Sequence, residues 1–353
     1  MRALLLMLAL AVAPLTAAFA GEIPALRAVA PAPPARPTPQ ELAVEASLLR
    51  TDTTFAVRPG ARLELSNFGG EINVHGWEKS AVRLEAEHSS RSKVAIENAG
   101  VVWTVKAYSR MGVPRALNYD LSVPSWLALA LSGVYTDVSV EGVNGDLNID
   151  TVRGDVSLSG GLGNVTLTTV EGDVCLRGSK GRLALSAVNN DIRVEDAGGP
   201  INAETVNGDI RLVGIAADSV EATSVNGQVS FAGAIRAAGA YRFSTHNGDI
   251  VVAVPEDIGA RVEVATYNGS FESSFPVRLD ALKRGKRFSF ALGAGGGLLD
   301  LESFQGAIRL CRPSEHCADD DGAPCAKATS REIRVKVLEK KNHDKERDKE
   351  EEK

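Results

Sequence analysis

The sequence lacks an excess of basic residues and, after its first 20 residues, has no long apolar run. Its 353 residues include 39 Lys and Arg against 45 Asp and Glu, a formal net charge of −6. Binding to phosphate backbones needs a clustered excess of cations, so this balance argues against nucleic acid as a partner. Beyond the first 20 residues, no segment is apolar for long enough to cross a bilayer as a helix.

Motifs of catalysis and cofactor binding are missing as well. There is no phosphate-binding loop, no Ser-His-Asp order with supporting motifs, and no pair of metal ligands at helical spacing. Only five histidines occur. His246 lies in a position that the repeat pattern described below places inward, so we expect a hydrogen-bonded core residue rather than a base. We predict no catalytic residue and no cofactor.

Cysteine is scarce, with four residues in the chain. Cys311, Cys317 and Cys325 lie close together near the C-terminus, and export would favour a disulfide among them. A metal site that includes His316 is the alternative, although the cysteine spacings differ from the close pairs of zinc ligands. Cys175 lies between two inward residues of an alternating pattern, so we expect an outward, unpaired and inert thiol.

Glycine, by contrast, recurs with a period. The series runs every nine residues and then at wider spacing through Gly145, Gly154, Gly163, Gly172, Gly181, Gly199, Gly208, Gly227, Gly248, Gly269 and Gly306, with Asn190 in one position. A short fixed period is typical of a solenoid, whose units bury their apolar faces only by stacking on one another. Because nine is odd, strict alternation would turn each following strand inside out. We therefore expect each glycine to form a corner with positive φ that resets the phase.

Apolar residues occur two before, two after and four after each corner, as in Val170, Val174 and Leu176 around Gly172. The position two before is Val at every second corner and a small residue at the others. This alternation predicts an all-β, single-stranded β-helix or solenoid with about 18 residues, or two strands, per coil. One inward column then comprises Val152, Val170, Val188, Val206, Val225, His246, Tyr267 and Phe304.

The alternative fold is a series of hairpins, because Asn-Gly is a strong two-residue hairpin signal. It occurs at Asn144, Asn207, Asn226, Asn247 and Asn268. A meander of hairpins has no reason to alternate two kinds of corner, whereas stacked coils do. In a coil, Asn189, Asn207, Asn226, Asn247 and Asn268 would lie ~4.8 Å apart and could form a ladder of side-chain amides.

Composition divides the chain into five parts. We expect a signal peptide at 1–20, cleaved after Ala20, a Pro-rich linker at 21–50, an N-terminal β region and cap at 51–125, solenoid repeats at 126–338, and a charged disordered tail at 339–353. The solenoid would end with an alternating strand at Ile333, Val335 and Val337. No cysteine follows the cleavage site, so we expect no lipid attachment there.

Aspartates directly follow several corners. They are Asp155, Asp173, Asp191, Asp209 and Asp249. We expect these carboxylates to accept hydrogen bonds from corner amides. Calcium binding by the column is the alternative, although no segment has the Gly-Gly-x-Gly-x-Asp consensus of calcium β-rolls.

The segments Val-Arg-Gly-Asp-Val at 152–156, Val-Glu-Gly-Asp-Val at 170–174 and Val-Asn-Gly-Asp-Ile at 206–210 resemble the bacterial putative-adhesin β-strand-repeat family. The resemblance covers roughly residues 60–310. It implies a β-helical domain of unknown function, with no catalytic residues to transfer.

The first functional hypothesis is therefore an exported, non-enzymatic binding or scaffold module that acts in the periplasm, at the cell surface or outside the cell. Its partner would be an envelope or extracellular protein or a glycan. One alternative is a carbohydrate-active β-helix enzyme, with Arg193 and Arg211 in one outward column. The others are a self-assembling envelope scaffold and a calcium-dependent binding module.

Overall fold

The computed structural model describes residues 48–109, 112, 117–277, 281–282, 287–313 and 325. The expected signal peptide, most of the linker, the strand at 333–337 and the charged tail lie outside these ranges. The described residues form 25 β-strands and no α-helix. The described part of the chain therefore contains no helix that could span a membrane.

The N-terminal end combines antiparallel strands with the first coil of the solenoid. Its strands are β1 (Leu48–Ala56), β2 (Arg62–Trp77), β3 (Ala81–Ser89), β4 (Ser92–Ala99), β5 (Val102–Ser109), β6 (Asn118–Pro124) and β7 (Ala128–Glu141). Strands β2 and β7 are long and pair in parallel from Arg62 to His75 of β2. The pairs β1–β3, β3–β6 and β4–β5 are antiparallel. Coil stacking therefore begins at β2, ahead of residue 126.

From β7 onward, strands of two parallel sheets alternate along the chain. The first sheet contains β8 (Leu147–Arg153), β10 (Val165–Glu171), β12 (Leu183–Ser186), β14 (Ile201–Asn207), β16 (Ser219–Asn226) and β18 (Ala240–Asn247). The second sheet contains β9 (Val156–Ser159), β11 (Val174–Arg177), β13 (Ile192–Glu195), β15 (Ile210–Ile215), β17 (Val229–Gly233) and β19 (Ile250–Ala253).

Each strand pairs with the strand one coil away, and the register confirms the 18-residue coil of two strands. Val165 lies opposite Leu147 in the first sheet, and Val174 lies opposite Val156 in the second. Strands β14 and β15 flank an Asn-Gly corner, yet they pair with β16 and β17 rather than with each other. The hairpin alternative is therefore wrong for these coils.

The last coils do not stack in chain order. Their strands are β20 (Ala260–Thr266), β21 (Phe271–Ser273), β22 (Ala281–Leu282), β23 (Arg287–Leu292), β24 (Gly297–Gln305) and β25 (Ile308–Cys311). Strands β24 and β25 lie directly on β18 and β19, and β20 and β21 lie beyond them. Strand β23 returns antiparallel along β20 and covers its other edge, which would otherwise be free to pair.

One apolar core runs along the solenoid axis. Residues two and four after most corners are buried as expected: Val174 and Leu176 are both 0% exposed. The inward assignment two before the corner holds where a small residue stands there, as at Ser179, and is wrong at the valine corners, since Val152 is 51% and Val170 is 38% exposed. The buried side chain is one residue earlier, at Thr169. The inward–outward alternation of the first-sheet strand continues up to the corner. The residue three before the corner therefore faces inward and the residue two before it faces outward, the reverse of what we expected.

The corner glycines are required mainly by close stacking. A Cβ on Gly208 would overlap the carbonyl oxygen of Asn190 in the preceding coil, and one on Gly227 would overlap that of Gly208. The expected positive φ occurs at Gly172, where φ is 150°, but Gly208 and Gly227 are not among the residues with positive φ. Glycine therefore recurs because, at most of these corners, coils about 4.8 Å apart leave no space for a Cβ, and Asn190 is the one member of the series that keeps a side chain there.

The left-handed turn lies at a second series of positions that the nine-residue pattern missed. These are Gly142, Gly160, Gly178, Asp196 and Gly214, with φ of 69°, 90°, 70°, 52° and 67°. They follow the second-sheet strands at 18-residue spacing, so the phase reset takes place there once per coil.

The expectation of an unpaired Cys175 is wrong. Cys175 is joined to Cys325 by a disulfide with the Cα atoms 5.7 Å apart. Cys311 is also disulfide-bonded, and Cys317 lies outside the described residues. Cys175 does face outward on β11 and is half-buried, between the buried Val174 and Leu176. The expectation of a free thiol failed because Cys325, far away in sequence, lies against this outer face. These disulfides also exclude the thiolate metal site at Cys311 and Cys325.

Candidate functional site

An exposed apolar stripe follows the edge where the first-sheet strands reach the corner. It consists of one residue per coil, in the spatial order Phe68, Val134, Val152, Val170, Val188, Val206, Val225, His246, Phe304 and Tyr267. Val206 and Val225 are each 40% exposed, and Val134 and Val188 are half-buried. Soluble proteins seldom expose contiguous apolar surface of this extent without a contact that covers it.

Aromatic rings occupy both ends of the apolar stripe. Phe68 meets Tyr135 edge to face at 5.8 Å between ring centroids. At the other end His246 and Phe304 are parallel at 4.6 Å, and Tyr267 lies 5.2 Å from Phe304. The expectation that His246 is a hydrogen-bonded core residue is wrong, since it is exposed and stacked. The stacked rings cover each other's faces, so His246 and Phe304 present mainly edges to the solvent.

A ladder of amides lies beside the apolar stripe. Asn207 donates to Asn189 at 3.0 Å, Asn226 donates to Asn207 at 2.8 Å, and Asn247 donates to Asn226 at 2.7 Å. The predicted asparagine ladder is therefore confirmed for these four residues. Asn268 is not in it, because Gln305 of the inserted β24 follows Asn247.

The same column continues toward the N-terminus with charged and aromatic residues. Arg153 pairs with Glu171, and its guanidinium lies 5.4 Å from the ring centre of Tyr135. We call the column from Tyr135 to Gln305 the polar ladder. It gives the apolar stripe a hydrogen-bonding margin along one side.

A buried column of hydroxyls stands behind the apolar stripe, and our sequence analysis missed it. Thr205 donates to the carbonyl of Asn190 at 3.1 Å, Ser224 to that of Gly208 at 3.0 Å, and Thr245 to that of Gly227 at 2.9 Å. These carbonyls lie at the corners, where the sheet ladder is interrupted. The signal was present in the sequence as Thr or Ser three residues before the corner. The bonds fix the corner, and with it the direction of the exposed residue that follows Thr205.

The side chains of the aspartate column accept hydrogen bonds from the backbone. Asp155 accepts from the N–H of Asp173 at 2.9 Å, Asp191 from that of Asp209 at 2.8 Å, and Asp209 from that of Gln228 at 2.7 Å. Asp249 does the same for Ala307 at 2.8 Å. Each carboxylate thus satisfies an amide of the next coil, as in an Asx turn.

Stacking of these carboxylates affects their ionisation. Desolvation raises the pKa of Asp155; the N–H of Asp173 opposes this, and the negative charges of Asp173 and Asp137 add to it. No group of three or more acidic, His or Cys side chains in the described ranges is arranged to hold a metal ion. The hydrogen bonds account for the column without a cation.

The outer face of the second sheet carries the disulfide. The backbone N–H of Cys325 donates to Glu195 at 3.1 Å, and Arg177 donates to the same carboxylate at 2.9 Å. Burial opposes ionisation of Glu195, but these two donors outweigh it and lower its pKa. Arg193 and Arg211 do lie in one outward column, on β13 and β15 beside Cys175.

A shallow pocket of about 160 Å³ lies near the C-terminal end of the first sheet. Arg261 is 3.2 Å from Glu263, Arg287 is 3.3 Å from Glu302, and Asp300, also in the lining, is 3.3 Å from Arg242. Each of these carboxylates already has a guanidinium partner. This ion-pair cluster gives no specific observation in favour of the carbohydrate-active alternative.

Several proteins share features with this chain. A "putative adhesin" from Bacteroides fragilis is 12% identical with a TM-score of 0.39, and the match covers 74% of this chain and 96% of that one. A "putative lipid binding protein" from Parabacteroides distasonis is 10% identical with a TM-score of 0.40, again over 74% and 96%. Similarities this distant say nothing about what the chain binds. Among curated proteins, none matches the chain.

A family match is more specific. Residues 127–232 match Toastrack DUF4097. They span strands β7 to β16 and most of β17, and include the Val-x-Gly-Asp segments that carried the family resemblance. The resemblance is thereby confirmed for this part of the chain, which matches the Toastrack DUF4097 family.

Proposed function

We propose that the chain is an exported, non-enzymatic β-solenoid that acts as a binding or scaffold module of the cell envelope or surface. The observation that carries this proposal is the apolar stripe, which is exposed over ten successive coils. The hydroxyl column and the aspartate column support it, because their hydrogen bonds fix most of the corners beside the stripe. A rigid contact surface of this kind loses little conformational entropy when it is covered.

Export rests on sequence features. The apolar run from Ala3 to Val12 and the small-x-small site before Gly21 are typical of a cleaved signal peptide. The Cys175–Cys325 disulfide supports the same assignment, because structural disulfides persist in oxidising compartments.

Envelope binding can be tested with two matched variants of one strand. Val170→Glu places a charge on the apolar stripe, whereas Thr166→Glu places the same charge on the exposed outer face of β10. We expect the mature wild type and Thr166→Glu to sediment with envelope fragments, and Val170→Glu to stay in the supernatant. Equal sedimentation of the two variants would contradict a role for the stripe. A mature protein that begins before Gly21, or that is retained in the cytoplasm, would contradict export.

A further inference from the structure

The apolar stripe has the dimensions of a specific protein interface. Its ten rungs are separated by nine strand spacings, which gives a length of about 43 Å. Together with one column on each side, a band roughly 15–20 Å wide would bury ~650–850 Å² on each partner, close to the ~800 Å² of a standard interface. The apolar stripe is one residue wide, so an occupant must present a matching column.

Another copy of this chain presents such a column. In an antiparallel arrangement about a two-fold axis between Val188 and Val206, His246 faces Val152 and Phe304 faces Val134. Phe68 and Tyr267 meet at the two ends. In a parallel arrangement, His246, Phe304 and Tyr267 would each face the same residue of the second chain, all at one end of the stripe. Those rings would hold the neighbouring valines apart, so the antiparallel arrangement packs the stripe more evenly.

Charges beside the apolar stripe are compatible with the same arrangement. On the polar ladder, Arg153 would face Asn247 and Glu171 would face Asn226, so each charge meets a neutral amide. On the other side, Glu204 would face Ser186, two residues before Val188. No pair of like charges meets along these columns, which removes a repulsion that would cost several kcal/mol.

We propose that a second copy of this chain occupies the apolar stripe, forming an antiparallel two-fold dimer. The inference rests on the proposed function in taking the stripe as the contact surface, and it names the occupant as a second copy, so that envelope binding would use the faces that the dimer leaves open and would depend on the stripe through the pairing. The dimer covers the exposed valines and presents the outer faces of both solenoids on opposite sides. Each surface outside the interface would thus be present twice in the dimer.

Light scattering on the mature full-length protein tests the dimer. At tens of micromolar we expect the wild type and Thr166→Glu to have twice the mass of a monomer, and Val170→Glu to show a two-fold lower mass. Circular dichroism spectra should be the same for the two variants, and their thermal midpoints should be equal at a dilution where both are monomeric, which separates loss of contact from loss of fold. A monomeric wild type, or a dimeric Val170→Glu, would overturn the inference.

The relative orientation of the two copies is tested by cross-linking two variants, Val152→Cys and His246→Cys. Each variant adds one cysteine to the native ones, and the two carry different tags. A short bismaleimide should join Val152→Cys to His246→Cys when the two are mixed. Cross-links only within each variant would overturn the antiparallel arrangement.

The two proposals fail differently. A monomeric wild type whose envelope sedimentation is lost in Val170→Glu would sink the dimer and leave the binding module standing. A dimer that Val170→Glu dissociates without any change in envelope sedimentation would keep the dimer and remove the stripe from envelope binding.

Discussion

Cys175 and Cys325 are separated by 150 residues in sequence and joined by a disulfide across the outer face of the second sheet. Cys311 lies on β25, five strands from Cys175 on β11. That is about 24 Å, which a chain rising ~3.3 Å per residue spans easily between Cys311 and Cys325. The disulfide therefore fixes the C-terminal segment to the middle of the solenoid.

Removal of this disulfide should destabilise the protein. We expect Cys175→Ser/Cys325→Ser to lower the free energy of unfolding by ~2–4 kcal/mol, because the cross-link restricts a long loop in the unfolded chain. Urea unfolding under oxidising conditions measures the difference. Peptide mapping without reduction should recover the Cys175 and Cys325 peptides as one species. A peptide that joins Cys325 to Cys311 would show that the pairing is wrong.

Aspartate substitutions in one coil test which valines form the core. Val174→Asp buries a carboxylate at a position that is 0% exposed, so it should cost more than ~3 kcal/mol of unfolding free energy. Val170→Asp, four residues earlier on the apolar stripe, should cost less than ~1 kcal/mol. Chemical denaturation of the two variants gives the comparison. Similar losses would place both side chains in the core.

The sequence was a good guide where one physical constraint recurs in every coil. Close stacking leaves no space for a Cβ at most of the corners, Asn190 being the exception. Glycine therefore reveals the 18-residue period, and the buried positions of Val174 and Leu176 follow from it. Counting from the glycine could not predict which side chains before the corner face inward. The inward–outward alternation is set from the beginning of the strand, and it turns Val170 outward. Insertion of β24 before β20 and return of the chain to Cys175 depend on long-range packing, which local periodicity does not encode.

Two glycine substitutions separate close stacking from backbone conformation. Gly208→Asn should cost more than ~2 kcal/mol, because its Cβ overlaps the Asn190 carbonyl and the coils must move apart. Gly178→Asn should cost less than ~1 kcal/mol: φ there is 70°, no atom lies within 4 Å of an added Cβ, and asparagine tolerates this region. Thermal unfolding of both variants provides the measurement. If Gly178→Asn is the more damaging change, the two kinds of corner have been assigned the wrong way round.

The ionisation of Asp155 predicts a pH-dependent effect of Asp155→Asn. Asparagine keeps an oxygen that can accept the N–H of Asp173 but carries no charge. The pKa of Asp155 is raised in the folded state, so the wild type loses stability as the pH rises from the unfolded pKa through the folded one. Asp155→Asn should therefore be at least as stable as the wild type at pH 7, with the advantage shrinking below pH 4.

Asp155→Ala is the matched control for this pH series. It removes the acceptor and should cost ~1–2 kcal/mol at the acid end of the series, with the cost shrinking as the pH rises because the wild type itself then loses stability. Unfolding curves between pH 3.5 and 7 compare the three proteins. A stability loss for Asp155→Asn that equals that of alanine would show that the charge itself is needed.

The amide ladder should protect its asparagines from deamidation. Asn-Gly deamidates when the glycine nitrogen attacks the asparagine Cγ, expels ammonia and forms a succinimide, which water opens to aspartate or isoaspartate. Asn226 is held on both sides, by its bonds to Asn207 and Asn247, and the N–H of Gly227 donates to the Asn247 carbonyl at 3.0 Å. Asn268 is exposed and lies outside the ladder, because Gln305 follows Asn247. The N–H of Gly269 also donates, to the Thr266 hydroxyl at 3.1 Å, so the two sites differ in their asparagine side chains, and that of Asn268 is freer to approach the attacking nitrogen.

We therefore expect Asn268 to deamidate at least about ten-fold faster than Asn226 in the folded protein, a difference of ~1.4 kcal/mol in barrier. Incubation at pH 8 followed by peptide mapping measures both sites through the mass change and the isoaspartate peak. In denaturant the two Asn-Gly sites should react at similar rates, since neither is then held. If Asn226 reacts as fast as Asn268 in the folded protein, the ladder does not immobilise its amides.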